Sequence, residues 1–331
     1  MLTQKPLSKI SKGEPVEHYL MLRKCEVKST KNNKPYLNLE LGDRFLSLTA
    51  NVWDNFDGFL TRAAPGAIVK VRGAMDEYNG QMQIKVTDIR VTEADEPVSP
   101  DDFMPRSRRD LMIMKREFKS RIDKLTNFYL KKLISRIFSQ QVFEVYAKAP
   151  AGKSWHHAYL HGLIEHTLEI IRICDLMCDV HPEVNRDLLI CGAMLHDFGK
   201  VEELTFDGTF DYSDKGKLLG HIVIAAMEIN QKISQISDFP EELKQQLIHL
   251  VLSHQGKLEF ASPVIPKTLE SIILYQADEL SAKTNAYKSA IQNEAGNSGR
   301  WTKFQPLAGT AFYISEDFIR QSNETKQTLF D

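Results

Sequence analysis

The 331-residue sequence is poor in cysteine, in long apolar runs and in net charge. Its four cysteines, Cys25, Cys174, Cys178 and Cys191, contain no CxxC pair. That argues against a disulfide-stapled scaffold and leaves free thiols in a reducing compartment as the expectation. Cys174 and Cys178 stand four apart on a predicted helix, a spacing that favours core packing over metal ligation. No apolar run approaches the ~18 residues of a membrane span, and the opening "MLTQKPLSKISKGEP" has no apolar signal core. A cytoplasmic protein without membrane contact is expected. The formal charge is only −2, but it is unevenly spread: +1 over residues 1–100, +6 over 101–149 and −9 over the remainder. A basic middle beside an acidic C-terminal part suits phosphate binding next to a carboxylate-bearing metal site, and equally a solvated helix face.

Residues from about 16 to 92 read as β structure. "YLMLRKCEVK", "PYLNLELGD", "FLSLTANVWD", "AIVKVRGAMDEYNG" and "QMQIKVTDIRV" alternate apolar and polar side chains between Asn, Gly, Asp and Pro. Asn79-Gly80 is a strong hairpin signal. Five short strands in some eighty residues predict an N-terminal five-stranded β-barrel of the OB-fold type. From Leu111 onward the text is helical, with Ile113, Phe118, Ile122, Leu125, Leu130, Leu133 and Ile137 near one stripe. Further helices are predicted at about 158–179, 186–197, 218–234, 240–254 and 268–290. The expected chain is multidomain: a barrel at 14–95, a proline-containing linker at 96–110, an all-α domain at 111–295, and an irregular aromatic segment at 296–331.

The helical part holds nine of the ten histidines. His166 interrupts an apolar helix face in "HGLIEHTLEIIRI", and "LHDFGK" places His196 and Asp197 at the end of an apolar run. His221 stands near the start of "HIVIAAMEI", His254 closes "LIHLVLSH", and Asp278 interrupts "LYQADEL". Each puts a polar group where packing favours an aliphatic one, and a buried imidazole or carboxylate must be paired, hydrogen-bonded or metal-bound. Singly, each also fits a satisfied core residue.

Taken in order, His, His-Asp, His, His, Asp resembles the HD metal-dependent phosphohydrolase superfamily. The resemblance implies that His166, His196, Asp197 and Asp278 hold one divalent metal and that His221 and His254 complete a second, with Asp197 bridging. Imidazole with carboxylate suits manganese first, with iron, cobalt, nickel, zinc or magnesium as alternatives. Two such ions about 3.5–4 Å apart activate water and clamp a phosphate for in-line displacement. Lys200 would then neutralise a phosphate oxygen, unless it is only a solvated helix-end charge. "SWHHAYLHGLIEHT", "LHDFGKVEEL", "LLGHI", "LVLSHQGKLEFASPVIPKTLESIILYQADELSA" and "WTKFQPLAGTAFY" narrow the resemblance to the YhaM-type 3′→5′ exoribonucleases, in which an OB-fold precedes an HD domain. It covers roughly residues 16 to 315. His161 departs from the pattern, standing where a glycine is expected. His157 and His161 are spaced as i, i+4 ahead of His166. His157 is the candidate leaving-group acid or phosphate contact, with a solvent-exposed histidine as the other reading.

On the barrel, Tyr36 and Trp53 are candidate base-stacking rings, with Lys34 and Arg72 as phosphate contacts, although an aromatic on a barrel strand is more often core. The implied activity is metal-dependent 3′→5′ removal of nucleoside 5′-monophosphates from single-stranded RNA, with single-stranded DNA as a second substrate. Asp197, Lys200 and His157 would carry the chemistry. The rival readings are a phosphohydrolase of a small nucleotide and a nucleic-acid-binding protein with a structural metal site. Homo-oligomerisation is left open.

Overall fold

The computed structural model describes residues 4–30, 32–294, 299–306 and 308–320. Residues 321–331 of the expected C-terminal segment, and residue 295 at the expected end of the helical domain, lie outside them. The chain forms two compact units, 1–106 with 205–211, and 107–204 with 212–331.

The first unit is a closed barrel of strands β1 (Pro15–Ser29), β2 (Pro35–Gly42), β3 (Ser47–Val52), β4 (Ile68–Tyr78) and β5 (Gln81–Val91), with α1 (Asp57–Leu60) between β3 and β4. Its order is β1-β2-β3-β5-β4, with β1 antiparallel to both β2 and β4. A parallel pairing of β3 with β5 closes it. Alternation does the work: Leu37, Leu39 and Leu41 of β2 point inward, where they meet Leu20, Leu22, Ala50, Val71, Met75 and Ile84. Each aliphatic side chain so buried contributes roughly 1.5–3 kcal/mol. Asn79 and Gly80 turn β4 into β5 with φ of 50° and 75°, the left-handed pair that a two-residue hairpin requires.

The expected linker is partly structure. Ser99 caps a 3-10 turn over Pro100–Asp102 in a reciprocal capping box, Phe103 and Met104 are buried, and Arg23 donates to the Phe103 carbonyl at 2.7 Å. Two apolar residues among the prolines and charges were enough to anchor the segment.

The second unit is helical: α2 (Leu111–Asp123), α3 (Phe128–Ile137), α4 (Gln140–Lys148), α5 (Gly162–Val180), α6 (Arg186–Leu195), α7 (Lys200–Glu203), α8 (Asp214–Ile233), α9 (Glu241–Ser253) and α10 (Leu269–Glu294). The single stripe read from 111 to 137 is broken at 124–127, and Ile113 is exposed. Asn127 caps α3, while Asp187 Oδ2 accepts from the backbone of Thr126 and Asn127. The helix predicted from 158 starts at Gly162 instead, because His157 and His161 both adopt positive φ. The C-terminal segment is less irregular than expected, with bridges Trp301 to Tyr313 and Gln305 to Thr310. All four cysteines are free, and among the described residues no helix is long and apolar enough to cross a membrane.

Candidate metal centre

Five helices, or the residues that directly follow them, bring the six expected ligands together. His166 sits one turn into α5, His196 and Asp197 end α6, His221 lies on α8, His254 follows α9, and Asp278 lies on α10. All but His221 are buried, with His166, His196 and His254 fully so. Asp197 stands at the centre. Its Oδ2 lies 3.3 Å from His196 Nε2 and 3.7 Å from His166 Nε2. Its Oδ1 lies 3.4 Å from His221 Nε2 and 3.6 Å from His254 Nε2. The carboxylate therefore divides the histidines two and two between its oxygens, and the donor atoms form two compact groups that share it.

Each imidazole is held in one tautomer by its other nitrogen. The Nδ1–H of His196 donates to the Ala193 carbonyl at 2.8 Å, and that of His254 to the Val251 carbonyl at 2.7 Å. A carbonyl can only accept, so Nδ1 carries the proton. His221 Nδ1 meets Glu203 Oε1 at 3.0 Å. His166 Nδ1 meets Ser281 Oγ at 3.0 Å, and that hydroxyl donates onward to Glu169 at 2.7 Å. All four Nε2 lone pairs thus face Asp197. His196 Nε2, His221 Nε2 and Asp197 Oδ1 make no hydrogen bond despite burial. His166 Nε2 stands 3.0 Å from Asp278 Oδ1, two acceptors face to face, an arrangement that a shared cation satisfies. Such outer acceptors are the usual supports of metal-binding histidines, and the donor set fits divalent ions of the N/O type.

Electrostatics point the same way. Burial lowers His166 to about 4, against the pull of Asp278, and lowers His254. Burial also lowers His196, but the Asp197 charge outweighs it and raises the imidazole. Burial would raise Asp278, yet the close approach of His166 and the His196 imidazole hold it low. Asp197 is held well below the carboxylate range against burial by Lys200 and His196.

Lys200 is not a solvated helix-end charge. It is buried, with Nζ 2.7 Å from Asp197 Oδ2 and 2.5 Å from the Ala151 carbonyl. Burial opposes its charge, but Asp197 prevails and raises it. Gly199 makes the turn possible, since a Cβ there would stand 2.0 Å from the His221 carbonyl oxygen. His157 is buried rather than solvent-exposed, with Nε2 3.3 Å from Glu169 Oε2 and its ring centroid 5.0 Å from that of His166. His161 turns away, its Nδ1 bonded to the Ala147 carbonyl at 2.8 Å.

The sequence reading missed His156, whose ring lies 4.7 Å from that of His166 and whose buried Nδ1 has no hydrogen-bond partner. Burial first, then His166 and Lys200, hold it well below the ordinary imidazole value. With His157 and His166 it forms a third close group of nitrogens. Its signal was the His-His dipeptide, of which only the second member was singled out. On the barrel, Tyr36 and Trp53 stack with ring centroids 4.7 Å apart, and Trp53 is 45% exposed. Lys34 pairs with Asp54 beside them. Arg72 is not part of this group: it lies opposite Glu17 on β1, whereas Tyr36 pairs with Lys28 near the other end of that strand.

Residues 163–283 match the model of the HD domain, and residues 24–92 that of an OB-fold nucleic acid binding domain. The 3′-5′ exoribonuclease YhaM of Geobacillus sp. (strain WCH70) is 34% identical over 310 residues, covering 91% of this chain and 92% of the relative. The chain belongs to the YhaM family of 3′-5′ exoribonucleases. The YhaM of Bacillus subtilis (strain 168) is 34% identical over 288 residues, 85% of this chain and 88% of its own. That of Listeria monocytogenes serotype 4b is 32% identical over 290 residues, at 88% and 92% coverage. The YhaM matches span both units, and the HD match encloses all six residues around Asp197.

Proposed function

We propose that this protein is a metal-dependent 3′→5′ exoribonuclease of the cytoplasm that releases nucleoside 5′-monophosphates from single-stranded RNA, with single-stranded DNA as a second substrate. The observation that carries the reading is the division of four Nε2 atoms between the two oxygens of Asp197. His166, His196, Asp197 and Asp278 would hold one divalent ion, and Asp197, His221 and His254 a second, manganese first among the candidates. Such ions supply water activation and charge neutralisation at the phosphate.

The chain's own residues do the rest. Lys200 uses two of its three donors on Asp197 and Ala151, which leaves one for a non-bridging phosphate oxygen. His157, tied to Glu169 and packed against His166, contacts the phosphate or the departing 3′-oxygen as the bond from phosphorus to that oxygen breaks. Tyr36 and Trp53 capture the strand by stacking, with Lys34 on the phosphates beside them and Arg72, toward the other end of β1, meeting the backbone separately.

The test is digestion of 5′-labelled single-stranded RNA with a panel of divalent metals. A ladder that shortens progressively from the 3′ end supports the proposal. A single internal cut, or hydrolysis of nucleoside triphosphates with none of RNA, overturns it.

A further inference from the structure

One exposed aromatic group lies outside both sites described above, on the loop that leads into α5. Trp155 immediately precedes His156 and His157, yet its own side chain is 41% exposed while His157 is buried. The loop is fixed to α10: the His157 backbone N–H donates to Asn285 Oδ1 at 2.8 Å, and the Asn285 amide donates to the Tyr159 hydroxyl at 3.2 Å. Two residues further along α10, Tyr287 meets Trp155 with centroids 6.3 Å apart at 79°. Phe312 backs Tyr287 from the C-terminal segment at 4.6 Å. An edge contact of this kind uses the rim of one ring and leaves that ring's faces open to another planar partner. Lys153, on the same loop, holds its ammonium 5.9 Å from the Tyr212 ring.

We propose that Trp155 and Tyr287 form a second stacking step, which holds bases from the second nucleotide upstream of the one being removed. The inference rests on the exoribonuclease reading above and names where the helical unit grips its substrate. Tyr287 lies nine residues beyond Asp278 on one helix, about 14 Å along its axis. A strand with its terminal phosphate at Asp278 therefore meets Tyr287 only through nucleotides upstream of the scissile bond. Aromatic faces accept any base, so this step grips without selecting sequence. Lys153 brings positive charge to the same stretch of backbone. Neither ring touches the phosphate, so both are positioning residues.

The experiment measures steady-state kinetics on a ten-nucleotide single-stranded RNA and on a dinucleotide, for the wild type, Trp155→Ala, Trp155→Phe and Tyr287→Ala, with metal content and Tm determined for each. Trp155→Ala is expected to raise KM for the ten-mer about tenfold with kcat within about twofold, equivalent to about 1.4 kcal/mol. Trp155→Phe restores most of the loss, and the penalty disappears on the dinucleotide. Unchanged KM on the ten-mer, or an equal penalty on both lengths, overturns the proposal. Should Trp155→Ala fold poorly, Tyr287→Ala gives the same comparison. Failure of the wild type to degrade either RNA would overturn the exoribonuclease reading itself, a result distinct from a variant that matches an active wild type.

Discussion

Asp197 is shared by two donor groups, with His166 and His196 on one side and His221 and His254 on the other. Asp197→Ala is expected to lower metal content at both positions and RNA hydrolysis by at least about a thousandfold, read by elemental analysis alongside the digestion assay. Glu203→Gln should act more narrowly. The carboxylate that faces the His221 Nδ1–H at 3.0 Å becomes an amide, and loss of such support typically weakens metal affinity about 10–100-fold. Titration with Mn²⁺ should show one weakened site and one unchanged, and uniform weakening would refute this division. The six candidate ligands were legible in the sequence because each is a polar group set into or at the end of an apolar helix run. Glu203, Ser281 and Glu169 were not, because a serine or glutamate on a partly exposed helix reads as surface until the fold shows which imidazole it holds. Protonation adds a sign. His166 is lowered to about 4 by burial from an unfolded value near 6.5, so below that value the unfolded chain binds the proton first. The stability His166 contributes is present above about pH 6.5 and is lost as pH falls toward 4. Melting of the EDTA-treated protein between pH 7.5 and 4.5 should show this loss, with a shallower dependence in His166→Asn.

Among the elements, α8 is the most constrained by function. Gly220 has φ 70° and ψ 153° inside it, breaking the helix one residue before His221. The break leaves the His221 backbone N–H free to bond Glu203 Oε1 at 2.9 Å. A Cβ at Gly220 would meet nothing within 4 Å, so the penalty of Gly220→Ala is conformational, about 1–3 kcal/mol for this glycine-only region. A Tm lower by several degrees, with selective loss of the metal at the His221 side, is the expected result. If the Tm falls with both metals retained, the kink serves folding alone. This break was invisible to periodicity, since "LLGHIVIAAMEI" reads as one continuous amphipathic run. On α2, Glu117 receives Arg109 and Arg172 at 2.9 Å each, joining that helix to α5. Glu117→Gln should lower the Tm by a few degrees with unchanged kinetics.

At the scale of the whole molecule, the sequence marked the order of barrel then helices through its change from alternation to helical spacing. It misjudged the segment between them, because prolines and charges hid the two residues, Phe103 and Met104, that bury it. The first hundred residues are almost neutral, so capture of RNA by the barrel should depend more on rings than on charge. Trp53→Ala is expected to weaken binding of single-stranded RNA about tenfold with little change in its salt dependence. Lys34→Ala should reduce the salt slope by about one phosphate's worth. Equal effects of the two substitutions on the slope would contradict this division.

The contact between His166 and Asp278 joins residues 112 positions apart, and it has a consequence for synthesis. At about 5–20 residues per second, a ribosome needs about 6–22 seconds to travel from one to the other. By the end of that interval the nascent chain carries all four histidines without the last carboxylate. The site proposed for the first ion therefore lacks its last carboxylate until α10 has left the exit tunnel.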